Sequence, residues 1–242
     1  MKIKEFFIKI KDNFIEELFP SNFTCYNCND EIKEENKYHL CNKCLDNIQF
    51  IKNPCVKCGE DLNSFTKYCN NCKTYKRYFD KVISVSRYEK TAKKLVYKFK
   101  YNKDEYIANS ILPFLLDLFY KSDFNKIDVI TCVPISKERL KNRGFNQAQI
   151  LAEKLSNEVN ISFDGNIIKR IVNTESQTHL TKVERANNLS KAFEISDINL
   201  VKSKNILIVD DVITTGATMN EIAKLLKNKG ANKIYGITFC HS

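Results

Sequence analysis

The segment NILIVDDVITTGATM, residues 205–219, gathers residues that can hold an anion and a polyol side by side. Its apolar residues 206–209 read as a buried strand. The strand runs into two adjacent carboxylates, Asp210 and Asp211, followed by a short loop over 212–218. Thr214, Thr215, Gly216, Ala217 and Thr218 lie in that loop, and a helix is expected to open at its end. Small hydroxyl residues around a glycine let successive backbone N–H groups turn toward one anion, and a helix N-terminus adds its dipole. With only six glycines in the chain, one placed here carries information. Carboxylates in front of such a cradle would accept hydrogen bonds from sugar hydroxyls. The pattern fits a sugar phosphate. It is not a Walker A loop, and GxGxxG is absent.

A second segment, VPISKERLKNRGFNQ (133–147), places Lys137, Arg139, Lys141 and Arg143 close together in the sequence, with Gly144 as a hinge into a helix beginning near Asn146. Cations after a strand end suit a dense negative charge such as a pyrophosphate.

Eight of the ten cysteines form four CxxC pairs: Cys25/Cys28, Cys41/Cys44, Cys55/Cys58 and Cys69/Cys72. CxxC lets two thiolates reach one tetrahedral ion at about 2.3 Å with little strain. All-sulfur sites favour zinc, although iron–sulfur clusters use the same ligands. Pairing in sequence order gives two four-thiolate Zn²⁺ sites. An interleaved cross-brace uses the same residues, and His39, two residues before Cys41, offers a substitute ligand. The first residues mix Glu5, Lys9, Lys11 and Asp12 into their apolar stretch, so a secretory leader is not expected and a disulfide framework is disfavoured. A cytoplasmic location follows as the expectation. Residues 21–76 hold few large apolar side chains, so metal must supply much of their folding energy. Cys132 and Cys240 stand alone in apolar contexts and read as core residues.

The elements that must position these groups change texture along the chain. Residues 3–18 read as an amphipathic helix ended by Pro20. The cysteine module spans 21–78. From there strands are expected at 82–87, 128–133, 167–171, 205–209 and 233–239, and helices at 89–100, 105–120, 146–157 and 217–229. That alternation implies an α/β parallel sheet flanked by helices, with ligands beyond the C-terminal strand ends. The domains are therefore 1–20, 21–78 and 79–242. Of the net charge of +10, residues 81–242 carry +9, which invites an anionic partner. Residues 81–103 hold eight cations against Glu89, interleaved with Tyr88, Tyr97, Phe99 and Tyr101, an arrangement suited to single-stranded nucleic acid. No apolar run approaches the roughly 20 residues of a membrane span.

The stretch VDDVITTGAT resembles the ribosyl-phosphate loop of type I phosphoribosyltransferases. Together with the CxxC pairs, VP…R…RGFNQ and QT.L…ER..NL..AF, the chain resembles the ComF family from about residue 18 onward. The resemblance implies a type I phosphoribosyltransferase-like sheet behind a small zinc-binding module. It implies that Asp210 and Asp211 hold the 2- and 3-hydroxyls of phosphoribosyl pyrophosphate, and that Thr214, Thr215, Gly216, Ala217 and Thr218 bind the 5-phosphate. Mg²⁺ would bridge pyrophosphate and ribose. Residues 174–183 would close over the site as a mobile loop. The family is linked with DNA uptake in natural competence. Two roles follow: transfer of a phosphoribosyl group to an acceptor, or single-stranded DNA binding, with other DNA-uptake proteins as partners and the sugar-phosphate site regulatory or vestigial.

Overall fold

The computed structural model describes residues 23–33, 36–64, 66–101, 105–124, 126–171 and 192–242. The helix expected over 3–18, the loop over 174–183 and the QT.L…ER..NL motif lie outside these residues.

The cysteine-rich part contributes two short strands, β1 (Phe23–Thr24) and β2 (Glu31–Ile32), and two one-turn helices, α1 (Asn42–Asp46) and α2 (Asn70–Thr74). There follow β3 (Lys81–Arg87), α3 (Lys90–Tyr101), α4 (Ile107–Tyr120), β4 (Val129–Cys132), α5 (Lys137–Arg143) and α6 (Gln147–Val159). The chain closes with β5 (Ile168–Arg170), β6 (Phe193–Ile195), β7 (Asn205–Ile213), α7 (Ala217–Asn228) and β8 (Lys233–His241). β3, β8, β7 and β4 form, in that order, a four-stranded parallel sheet. The expected strand at 167–171 does not join it. Its residues Ile168–Arg170 pair antiparallel with β6 in a separate two-stranded ribbon.

Side-chain alternation along β7 builds a core on each face of the sheet. Leu207 and Val209 enter one cluster with residues of α3, α4 and α6, including Leu95, Ile111 and Leu151. Ile206 and Ile208 enter the other with Ile222 and Leu226 of α7. Gly236 of β8 keeps that second face thin. A Cβ there would lie 3.2 Å from Met219 Cε and 3.0 Å from Val82 Cγ2, so its absence seats the first turn of α7 on the sheet.

The cysteine module is packed onto both faces. Cys25, Leu40, Cys44 and Ile48 belong to the first core, and Cys55, Cys58 and Cys69 to the second. Tyr38 stacks on Phe114 of α4 at 4.2 Å and donates to Asp117, while Lys98 donates to the Tyr26 carbonyl. The second cysteine block is tied to β3, where Arg87 pairs with Asp61 at 2.7 Å. Cys132 and Cys240 are buried, as their apolar surroundings suggest.

Candidate functional site

Asp210 and Asp211 stand near the C-terminal end of β7, in the middle of the sheet. The strand runs further than expected. Val212 and Ile213 pair with Cys240 and His241 because β8 also continues, so the loop proper begins at Thr214. Asp211 is 6% exposed, and Lys100 of α3 brings its Nζ to 2.7 Å from Asp211 Oδ2. The Asp211 amide donates to Asp210 Oδ1 at 2.9 Å. Burial, then the charge of Asp211, push the Asp210 carboxyl well above the usual carboxylate range, while Lys100 opposes the rise. Cys132, at the end of β4, is pushed up to about 12 by burial and then by the charges of Asp210 and Glu153.

Thr214, Thr215 and Ala217 are exposed, and Thr218 is half-buried. Gly216 adopts φ +70° and ψ 11° as the N-cap of α7 and itself has no side chain to cap that helix end. Positive φ is open to glycine and costly to other residues, so Gly216 sets the turn. The Ala217 amide lies 3.4 Å from Thr215 Oγ1.

The cation segment is a helix, α5, capped by Ser136, which accepts from the Arg139 amide, and ended by Gly144 at φ +88°. On a helix Lys137 and Lys141 share one face, while Arg139 and Arg143, offset by two residues, share another. The four cations therefore do not point together. Lys137, Arg139 and Lys141 are exposed, and Arg143 is half-buried. The Arg143 guanidinium lies 5.4 Å from the Tyr101 ring centroid and Nη1 donates to Gln147 Oε1. Because β4 lies beside β7, the helix that follows β4 starts on the carboxylate side of the sheet. Asn146 caps α6 and donates to the Val133 carbonyl, fixing the far end of this connection.

The eight paired cysteines form two clusters, Cys25–Cys28–Cys41–Cys44 and Cys55–Cys58–Cys69–Cys72, with sulfurs within 4.8 Å of one another. Pairing is thus in sequence order, and the interleaved arrangement is excluded. Sulfurs arranged tetrahedrally at about 2.3 Å from one ion would lie roughly 3.8 Å apart. Cys28 and Cys41 Sγ are 3.7 Å apart, and Cys58 and Cys69 Sγ 3.6 Å. The donor set and spacing fit two structural zinc ions. Backbone amides already turn toward the sulfurs. Burial works to raise the Cys25 thiol, but the amides of Cys28, Cys41 and Asn27 outweigh it and bring it to about 7. His39 is not a ligand; it stacks on Tyr26 at 4.8 Å. The histidine beside a cluster is His241, which groups with Cys58 and Glu60.

Two residues enter the site that sequence reasoning assigned elsewhere. Lys100 belongs to the stretch suited to nucleic acid, yet it faces Asp211. Arg77 falls within the 21–78 span of the cysteine module, yet its Nη2 donates to the Thr215 carbonyl at 3.0 Å. Amphipathic spacing of α3 is the one sequence signal that bears on Lys100. For Arg77 there is none, because its partner lies 138 residues away.

Both parts of the chain match known families. Residues 115–241 match the phosphoribosyl transferase domain family, and residues 14–73 match the double zinc ribbon domain. Competence protein F of Haemophilus influenzae is 31% identical, covering 88% of this chain and 94% of that protein. Competence protein ComFC of Bacillus subtilis is 31% identical over 88% of this chain and 81% of its own length. DNA utilization protein YhgH of Escherichia coli K12 is 28% identical over 84% of this chain and 90% of its own.

Proposed function

We infer the function from one premise: the chain belongs to the ComF family of competence proteins, a double zinc ribbon joined to a phosphoribosyltransferase-type domain. The protein serves in DNA uptake, on the cytoplasmic side, and its loop binds phosphoribosyl pyrophosphate. One observation carries the ligand assignment: the carboxylate pair near the C-terminal end of β7 is followed, after Val212 and Ile213, by a glycine-turned loop that opens a helix whose N-cap residue has no side chain. Asp210 and Asp211 accept from the ribose hydroxyls. Residues 214–218 surround the 5-phosphate, and Lys137, Arg139 and Arg143 supply charge toward the pyrophosphate end. Mg²⁺ suits this site because it binds through one or two carboxylates together with phosphate oxygens; it would neutralise the departing pyrophosphate. The organisation that goes with this function is a 21–78 metal module and a 79–242 transferase-like domain, preceded by residues 1–20.

Transfer would break the bond between ribose C1 and the pyrophosphate oxygen and form one from C1 to an acceptor, with the protein positioning charge rather than attacking. The test is calorimetric titration with phosphoribosyl pyrophosphate and Mg²⁺, with and without a short oligonucleotide, while pyrophosphate release is followed. Asp210→Asn with Asp211→Asn should abolish binding and leave the fold intact. Unchanged affinity in that variant refutes the ribose role.

A second reading, single-stranded DNA binding, is favoured by the exposed pair Tyr97 and Tyr101 on α3. Their rings are 4.9 Å apart, with the Arg143 guanidinium over Tyr101. Aromatic faces flanked by cations stack on bases. Yet Lys81, Arg87, Lys98 and Lys100 of this segment are engaged within the protein. Oligonucleotide binding without pyrophosphate release would select this reading.

A further inference from the structure

The strap between α2 and β3 lies against the sugar-phosphate loop and the first turn of α7. Arg77 Nη2 holds the Thr215 carbonyl. The Tyr78 amide donates to Asn220 Oδ1 at 2.7 Å, and Asn220 Nδ2 donates to the Lys76 carbonyl at 3.3 Å. Five residues upstream, Cys72 closes the second metal cluster. The Arg77 guanidinium is fixed from below by Phe79, which is fully buried, at 5.8 Å. Its Nη1 lies 3.7 Å from the position a Cβ would take on Gly216. Arg77 Nε is buried and makes no hydrogen bond among the described residues, so the side chain is held here at some cost.

A trans peptide fixes the sense of this contact. The carbonyl of Thr215 and the N–H of Gly216 share one plane and point in opposite directions. Holding the carbonyl toward the strap therefore turns the Gly216 N–H away from the strap. Asn220 in the same way fixes the first turn of α7 against the strap, so that turn and loop keep one orientation.

We propose that Arg77 is a positioning residue for the 5-phosphate subsite, and that the second metal cluster, through the strap it anchors, is a working part of that subsite. The inference rests on the sugar-phosphate reading above and adds that the metal module orients the loop that reading invokes. A positive guanidinium one peptide away from a bound phosphate also adds a favourable field.

The test compares wild type, Arg77→Ala, Arg77→Lys and Asn220→Ala as full-length, zinc-loaded chains. Ribose 5-phosphate and phosphoribosyl pyrophosphate, each with Mg²⁺, are titrated calorimetrically, and zinc content is measured. Arg77→Ala should weaken both ligands by the same factor, about tenfold, the size expected for one charge-assisted hydrogen bond. Arg77→Lys should recover part of the loss, Asn220→Ala should weaken both ligands, and each variant should retain two zinc ions per chain. Wild-type affinity for both ligands in Arg77→Ala overturns the inference while leaving the sugar-phosphate reading standing. So does a loss confined to phosphoribosyl pyrophosphate, which would place Arg77 at the other end of the ligand. Loss of metal from Arg77→Ala and from Arg77→Lys alike would also overturn it, by making the residue part of the module's fold. Failure of wild type to bind either ligand instead overturns the sugar-phosphate reading, and this inference with it.

Discussion

Replacing Lys100 by Met tests how the carboxylate pair is held. The Lys100–Asp211 contact is 2.7 Å, with side chains 20% and 9% exposed. Coulomb's law at an effective dielectric of about 20 gives roughly 6 kcal/mol of gross attraction at that distance. Desolvation takes back most of it, but the variant does not recover that cost, since Asp211 stays buried without its cation. Breaking a fully buried pair costs about 3–5 kcal/mol, and partial solvent access to Lys100 lowers the expected loss to about 2 kcal/mol at neutral pH. The pH dependence has a definite sign. Asp210 already has a folded-state pKa above the ordinary carboxylate value, so the folded protein retains a proton there that the unfolded chain has lost. Stability from this group is complete below the unfolded pKa and is lost as pH rises through the raised one. Removing Lys100 removes an influence that lowers the Asp210 pKa, so the variant should lose more on the rise in pH. Urea unfolding of both zinc-loaded proteins, at acid and at neutral pH, measures this. The deficit of Lys100→Met should be largest at neutral pH and shrink in acid. A variant as stable as wild type at neutral pH, or a deficit that does not depend on pH, would refute the idea that Lys100 neutralises the pair.

Chelation of both zinc ions should do more than unfold the cysteine module. Leu40 and Ile48 lie in one core and Cys55 and Cys58 in the other, so both faces of the sheet should lose packing, read as lost far-UV signal and faster proteolysis; unchanged spectra and protease resistance would show that metal is dispensable. Gly216→Ala should cost about 1–2 kcal/mol, because φ +70° is strained for any side chain. Its new Cβ would meet Ile213 Cδ1 at an ordinary 3.4 Å, so the penalty is one of backbone conformation, and Gly216→Asn, which tolerates positive φ better, should be milder in thermal melts.

Local patterns carried much of this protein. The apolar run over 206–209 and the mostly apolar stretch over 233–239 announced the two central strands, because a strand buried on both faces is apolar along most of its length. CxxC pairs announced metal, because thiolate chemistry depends on residue type and short spacing. The helix α5 escaped notice: KERLKNR has a single large apolar residue, Leu140, itself 45% exposed, so no buried stripe marks it. Its ends are set instead by a serine cap and a glycine turn. Which cysteine pairs share a metal could not be read from spacings that allow both orders. Side-chain direction on an amphipathic helix likewise leaves the partner undefined, so Lys100 reads as surface charge until the packing of α3 against β8 brings it to Asp211. Arg77 meets Thr215 only because the second metal cluster packs on the same face of the sheet as α7. Residue types thus determined the chemistry available to the chain. The three-dimensional packing decided which charges neutralise one another, since a hydrogen bond or ion pair depends on distance in space and not on separation along the backbone.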